Sequence, residues 1–173
     1  MSLNFDLKKV LHVCRQILIV VAIFFTVQWY QQRNLLPTSA NISAPEFQLK
    51  EVESGESFSL HDFKDKKLLL YFFAPWCGVC KFSISSLQDI FLEMDQDQYA
   101  VVAVALSYES QQEVLNFKSQ HKLSLPVLMG SDALASQYNV DAFPTYYVIN
   151  EHGYITARDL GFSTNIGMQW RLK

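Results

Sequence analysis

The chain has 173 residues, enough for one domain of ordinary size with an appendage. Half of the residues are hydrophobic and 14% are aromatic, which supplies a packed core and excludes wholesale disorder. Fourteen Lys and Arg against 17 Asp and Glu give a formal charge of −3, which argues against a nucleic-acid binder, and three cysteines are too few for a disulfide-stapled scaffold or a four-cysteine zinc site.

The first element is an apolar run from Val10 to Tyr30, interrupted only by His12, Arg15, Gln16 and Gln28. Its length and composition predict a transmembrane helix. Arg15 can snorkel at one end, and Trp29 and Tyr30 suit the interface at the other. Lys8, Lys9 and Arg15 precede the apolar core, whereas only Arg33 follows closely. The positive-inside rule therefore predicts residues 1–9 in the cytoplasm and the rest of the chain outside it. A cleaved signal peptide fits less well, because Gln-Trp-Tyr-Gln-Gln-Arg follows the core and the first tolerable site, Thr38-Ser39-Ala40, is distant. Cys14 reads as a small apolar residue in or near the membrane. Residues 31–45 are polar and small with two prolines, a linker composition, and leave 46–173 as the soluble domain.

Within that domain Phe47–Val52 and Ser57–Leu60 flank a turn and predict a hairpin. Lys67–Phe73 and Tyr99–Leu106 are continuous apolar runs, the pattern of buried strands. Gly78–Met94 has apolar residues, Phe82, Leu87 and Ile90 among them, mostly at helical spacing. Ser110–His121 predicts a helix with Ser110 as N-cap and Glu113 as its capping-box partner. Pro126–Met129 predicts a short strand and Ala133–Tyr138 a short helix. Thr145–Asn150 and Tyr154–Leu160 predict a second hairpin, and Ser163–Leu172 a final helix. This alternation implies an α/β domain, a mixed sheet with helices on both faces.

The segment Trp76-Cys77-Gly78-Val79-Cys80-Lys81 joins a predicted strand to a predicted helix. A cysteine at a helix N-terminus gains thiolate character from free N–H groups and the helix dipole. Two intervening residues in one helical turn bring the second sulfur within disulfide reach. A structural disulfide and half of a metal site share this spacing. However, there is no second Cys pair, and His12, His61, His121 and His152 lack ligand spacing to the cysteines.

With the preceding Trp76, this motif resembles the active site of the thioredoxin superfamily. Val140-Asp141-Ala142-Phe143-Pro144-Thr145, followed by Tyr146-Tyr147-Val148-Ile149, is similar to the superfamily's cis-proline loop. The anchor, the N-terminal hairpin and the additional strand-helix segment resemble the membrane-tethered TlpA/ResA/DsbE-like branch, and the ending Gly161-Phe162-Ser163-Thr164-Asn165-Ile166-Gly167 resembles its ScsD-like protein disulfide oxidoreductase group. The resemblance implies a thioredoxin fold with a redox-active Cys77–Cys80 disulfide and no cofactor or metal. Cys77 would be the exposed nucleophile and Cys80 the buried resolving thiol. Pro144 would be the cis-proline, with Phe143 and Thr145 beside it in the substrate-binding loop. Trp76, Gly78, Val79 and Tyr71 would support the site.

Several positions depart from the family pattern. Tyr71 stands where thioredoxins carry a buried Asp, and Ser83 where the tethered branch often carries Glu. Both places that would hold a general base for Cys80 are therefore neutral, leaving Tyr71 as a weak substitute or a water held by Tyr71 or Ser83. Ser85 and Val79 replace common prolines and Ala142 a common glycine. The resemblance implies a monomeric thiol:disulfide oxidoreductase that acts on protein disulfides in the bacterial periplasm or cell exterior; a reducing role, the leading expectation, implies a DsbD-like transmembrane donor, and an oxidising role would need a quinone-linked partner or another oxidant. The alternatives are a Sco-like copper chaperone using Cys77, Cys80 and either His121 or His152, and a redox-inert docking module.

Overall fold

The computed structural model describes residues 7–38 and 42–173. The chain forms two units, the first ending at Asn34 and the second spanning Leu35–Lys173. Residues 1–6 and 39–41, and with them most of the cytoplasmic segment and the Ser39-Ala40 site, lie outside the described residues, as do the side chains of Trp29 and Tyr30.

The first unit is helix α1, Leu7–Gln32. At about 1.5 Å per residue its 26 residues exceed the roughly 30 Å hydrocarbon core of a bilayer. The span Lys9–Val27 has a mean hydropathy of 2.2, and its side chains from Leu11 onward are exposed. The helix is thus long and apolar enough to cross a membrane. Its polar interruptions bond one another, with the His12 ring lying 3.2 Å from both Arg15 Nη2 and Gln16 Nε2. The exposed Cys14 thiol has no disulfide partner.

In the second unit the strands are β1 (Gln48–Glu51), β2 (Ser57–Ser59), β3 (Lys67–Phe73), β4 (Tyr99–Ala105), β5 (Val127–Met129), β6 (Thr145–Ile149) and β7 (Ile155–Leu160). The helices are α2 (Gly78–Glu93), α3 (Gln111–Gln120), α4 (Asp132–Gln137) and α5 (Asn165–Leu172), with a 3-10 turn at Leu60–Phe63. The sheet order is β2-β1-β5-β4-β3-β6-β7. β3, β4 and β5 run parallel, while β6, β7, β1 and β2 join antiparallel. This is the expected mixed sheet of a thioredoxin fold. The predicted N-terminal hairpin is present, and β1 additionally pairs with β5, which extends the sheet on that side.

Strand periodicity sorts the side chains of β3 onto two faces. Leu69, Tyr71 and Phe73 pack with Ile84, Leu87 and Ile90 of α2, Val114 and Phe117 of α3, and Met168 and Leu172 of α5. Leu68, Leu70 and Phe72 face the opposite core, with Leu134 and Tyr138 around α4 and Leu60 of the 3-10 turn. That face is finished by residues from 35–38 and 42–47. Leu35, Ala44 and Phe47 are buried there, and the Arg158 guanidinium donates to the carbonyls of Leu35 and Leu36. Linker composition predicts a tether over residues 31–45, yet from Leu35 most of the described segment is packed onto the sheet. Leu35, Ala44 and Phe47 join the same apolar cluster as Tyr138, Tyr147 and Ile149, so a few scattered apolar residues hold the segment down.

Helix caps follow the local sequence. Ser110, Ser131 and Thr164 each accept from a backbone N–H of the first turn that follows. The Glu113 carboxylate, expected to reach back to Ser110, accepts from Glu109 N–H at 2.8 Å instead. Phe82, placed by its spacing among the apolar residues of α2, is 78% exposed, because the buried stripe is Cys80, Ser83, Ile84, Leu87 and Ile90.

Candidate active site

β3 ends at Phe73, and Ala74-Pro75-Trp76 turn the chain into α2. Cys77 is the N-cap of that helix. Its N–H donates to Ala74 O at 3.0 Å, and its sulfur accepts from Cys80 N–H at 3.1 Å. The sulfur therefore occupies the place of an N-cap oxygen, facing unpaired amides at the positive end of a helix, a setting that stabilises a thiolate. Cys77 and Cys80 form a disulfide with a Cα–Cα distance of 5.3 Å. Cys77 is 6% exposed and Cys80 fully buried. Cys77 is thus nearly buried rather than the exposed residue that the resemblance implies, because the cis-proline loop packs over it, and of the two cysteines it alone keeps any exposure.

The cover comes from two sides. The Phe143–Pro144 peptide is cis, and Phe143 O lies 3.7 Å from Cys77 Sγ. Gly161 N–H donates to Pro144 O at 2.8 Å, and Thr145 Oγ1 donates to Ala142 O at 2.8 Å, so both flanks of the loop are pinned. On the other side Trp76 donates through Nε1 to Ser107 O at 2.8 Å. Its ring meets Phe143 edge-on at 5.8 Å. Sequence reasoning missed Ser107, whose backbone φ of 50° turns the loop after β4 toward Trp76. No local motif marks such an acceptor. Trp76, Val79, Phe82 and Phe162 are all exposed apolar side chains, on or close to the chain segments that carry the disulfide and the cis-proline loop.

Beneath the disulfide the polar groups are neutral. Tyr71 on β3 and Ser83 on α2 are buried, with their hydroxyl oxygens 2.5 Å apart. Ser83 Oγ lies 3.1 Å from Val79 O, the back-bond common for serine in helices. A serine hydroxyl has one proton, so the chain of donors runs Tyr71 O–H to Ser83 to the Val79 carbonyl. Burial pushes the Tyr71 phenol well above its ordinary range, and the Ser83 hydrogen bond offsets this only in part. Tyr71 therefore stays protonated and cannot serve as a base at neutral pH. Glu51 is the one acidic residue buried as a whole among the described residues, and it is paired with Lys118.

The histidines are elsewhere. His121 caps α3 and packs against Phe117 with ring centroids 4.5 Å apart at a tilt of 41°; burial, with a contribution from the Lys81 charge, lowers its pKa. His152 lies in the β6–β7 turn. Neither joins the cysteines in a ligand set, and among the described residues no three His, Cys, Asp or Glu side chains gather as a metal site.

Comparison with known proteins agrees with this geometry. Residues 41–158 match the model of the AhpC/TSA family. The chain is 36% identical over 131 residues to the thioredoxin-like protein YneN of Bacillus subtilis, covering 75% of this chain and 76% of that protein. It is 31% identical over 118 residues to the sporulation thiol-disulfide oxidoreductase A of the same organism, covering 66% and 70% respectively. The crystal structure of the pneumococcal exposed lipoprotein thioredoxin of Streptococcus pneumoniae superposes with a TM-score of 0.66 at 30% identity, covering 74% of this chain and 98% of that one.

Proposed function

The chain belongs to the AhpC/TSA family and is a thioredoxin-like thiol:disulfide oxidoreductase, and from that premise we propose that it reduces protein disulfides on the outer side of a bacterial cytoplasmic membrane through Cys77 and Cys80. The observation that carries this reading is the asymmetry of the disulfide: Cys77, 6% exposed, caps α2 opposite the cis Phe143–Pro144 loop, beside a fully buried Cys80.

In the reducing direction the Cys77 thiolate attacks a substrate disulfide. The Cys77–substrate bond forms, the substrate S–S bond breaks, and the first substrate sulfur leaves as a thiolate. Cys80 then attacks Cys77 Sγ, the internal disulfide forms, and the second substrate sulfur departs. Two electrons pass to the substrate. With a neutral Tyr71–Ser83 pair below it, Cys80 gives its proton to the departing substrate thiolate or to water. The Phe143 backbone aligns the incoming strand, and the apolar rim of Trp76, Val79, Phe82 and Phe162 receives its side chains. The protein works as a monomer.

α1 tethers the domain to the membrane, with residues 1–9 in the cytoplasm, as the excess of Lys and Arg before the apolar core supports. The similarity to a lipoprotein described as exposed supports the same side for the domain. Cytoplasmic thiols do not reach that side, so a DsbD-like transmembrane dithiol donor returns the pair to the reduced state.

The reduction potential of the Cys77–Cys80 pair tests the direction. A value near thioredoxin's, about −270 mV, supports the reductase; a value of about −120 mV makes the protein an oxidant instead. Cys80→Ser should trap mixed disulfides with substrate, and Cys77→Ser should trap none. Labelling of an introduced surface cysteine by an impermeant reagent in intact cells checks the side of the membrane.

A further inference from the structure

Helix α5 carries apolar residues on two opposite sides. Met168 and Leu172 are buried in the core shared with α2 and β3. Residues two apart on a helix point about 200° away from each other. Ile166 and Trp170 accordingly face outward, 81% and 80% exposed, and four residues apart they stand one above the other. Phe162, just before the helix, is 60% exposed. The outward position of a surface helix is ordinarily polar. The rotation of α5 is fixed at its flanks, where Gln169 Nε2 donates to Glu93 Oε2 at 2.7 Å and Arg171 pairs with Asp159 at 2.9 Å.

This row starts at the redox site. Leu160, the last residue of β7, pairs with Thr145, and Gly161 N–H donates to Pro144 O, so the chain passes Phe162 and enters α5 beside the cis-proline loop. At the other end Lys67 Nζ donates to Lys173 O at 2.6 Å, which places the end of α5 at the start of β3, the pole away from the disulfide. Phe162, Ile166 and Trp170 thus lead from the cis-proline loop down one side of the domain.

A second copy of the chain is a poor occupant for the row. An aromatic side chain covers about 150–250 Å², and three residues of that size or smaller fall short of the roughly 800 Å² per partner of a stable dimer. A bilayer is also a poor one, because Leu35, where the domain begins, is buried on the opposite face of the sheet with Leu134 and Tyr138. The disulfide itself calls for a polypeptide. Cys77 is 6% exposed between the cis-proline loop and Trp76, so a substrate sulfur reaches it on a slender, extended segment. Alternate side chains of such a segment point the same way, about 6.6 Å apart. Residues four apart on a helix rise by about 6 Å. The two repeats match.

Resting on the redox reading, we propose that α5 extends the substrate site. An extended polypeptide segment, apolar at alternate positions beside its cysteine, passes the cis-proline loop and lays those side chains against Phe162, Ile166 and Trp170. Segments of this kind are exposed in chains that have not folded.

The test uses the full chain, reduced, in phosphatidylcholine nanodiscs. Stopped-flow kinetics follow its oxidation by two peptides with the same disulfide loop, one carrying Leu and the other Ser at alternate positions beside it. The Leu peptide should reach half-saturation at a concentration lower by about tenfold or more, with the same limiting rate. Trp170→Gln/Ile166→Gln should abolish that preference. The same variant should react with bis(hydroxyethyl) disulfide at the wild-type rate, since so small a molecule does not extend to α5. The proposal is overturned if the two peptides saturate alike, or if the preference survives in the variant, which would assign it to the rim around Trp76. It is overturned too if brominated phosphatidylcholine quenches the emission that Trp170→Gln removes, which makes the bilayer the occupant, or if the wild-type chain pairs with a second copy and the variant does not. A wild-type chain that reduces no disulfide at all brings down the redox reading and the proposal together. One that reduces bis(hydroxyethyl) disulfide without preferring the Leu peptide brings down the proposal alone.

Discussion

Two buried polar clusters lie on this domain, and they solve the problem of burial in opposite ways. At the end of β1, Glu51 and Lys118 are charged, with side chains 8% exposed and 2.8 Å apart. Glu51 also accepts from Glu53 N–H, Ser54 N–H and the Ser54 hydroxyl, while Lys118 reaches Glu53 at 2.6 Å. Burial by itself would raise the Glu51 pKa, but the Lys118 ammonium and the Ser54 and Glu53 donors outweigh it and hold the carboxyl at about 2. Beneath the disulfide, Tyr71 and Ser83 have each other and the helix carbonyls of Val79 and Cys80, with no cation. A carboxylate there would lack the partners that Glu51 enjoys. A buried charge survives where several donors converge on it; elsewhere a neutral hydroxyl pair is the stable choice. The catalytic pole is thus the uncharged one.

The largest test places a charge where none is supported. Tyr71→Asp removes a buried ring and leaves an unpaired carboxylate, and should cost upward of about 5 kcal/mol at neutral pH by urea unfolding. Burial raises the folded pKa of that Asp above its unfolded value. Its contribution is therefore least unfavourable below the unfolded pKa and worsens as pH rises through the folded one. An undiminished midpoint at pH 7 would mean that the pocket under Cys80 supplies a partner after all.

Next in size, Lys118→Met strands the Glu51 charge and should cost about 3–5 kcal/mol, much of it recovered by adding Glu51→Gln. The wild-type protein carries the opposite pH signature from Tyr71→Asp. The Glu51 pKa is depressed from 4.5 to about 2, so its contribution is full above about pH 4.5 and is lost as pH falls toward 2. Urea midpoints measured across that window should decline, and the decline should shrink in Lys118→Met/Glu51→Gln. Smallest, Tyr71→Phe loses one neutral hydrogen bond, about 1 kcal/mol, and Ser83→Ala loses the bond to Tyr71 and the back-bond to Val79 O, about 1–2 kcal/mol. Because Tyr71 remains protonated, Tyr71→Phe should leave the pH dependence of Cys77 attack unchanged, measured by stopped-flow reaction with an oxidised peptide.

Much of the site is legible in the sequence because its parts are neighbours in the chain. An apolar run long enough to cross a bilayer, a strand feeding a Cys-x-x-Cys helix, and serine caps at α3 and α4 each depend on residues within a turn or two. Strand and helix periodicity is likewise a local property, so the order of elements and the mixed α/β class follow from it. Phe82 escapes this reading because helical spacing shows that a face is apolar without showing what covers it.

What the tertiary structure alone decided are the pairings across distance. Tyr71 meets Ser83, 12 residues away, only because α2 lies across β3 at that height. Lys118 meets Glu51, 67 residues away, only because β1 pairs with β5 beside α3. The burial of Leu35, Ala44 and Phe47 depends in the same way on which surface the helices leave open. Local propensity chooses the elements from short-range sterics and hydrogen bonding. The partner of a buried group, and hence its charge state, is set by which elements the packed core brings side by side.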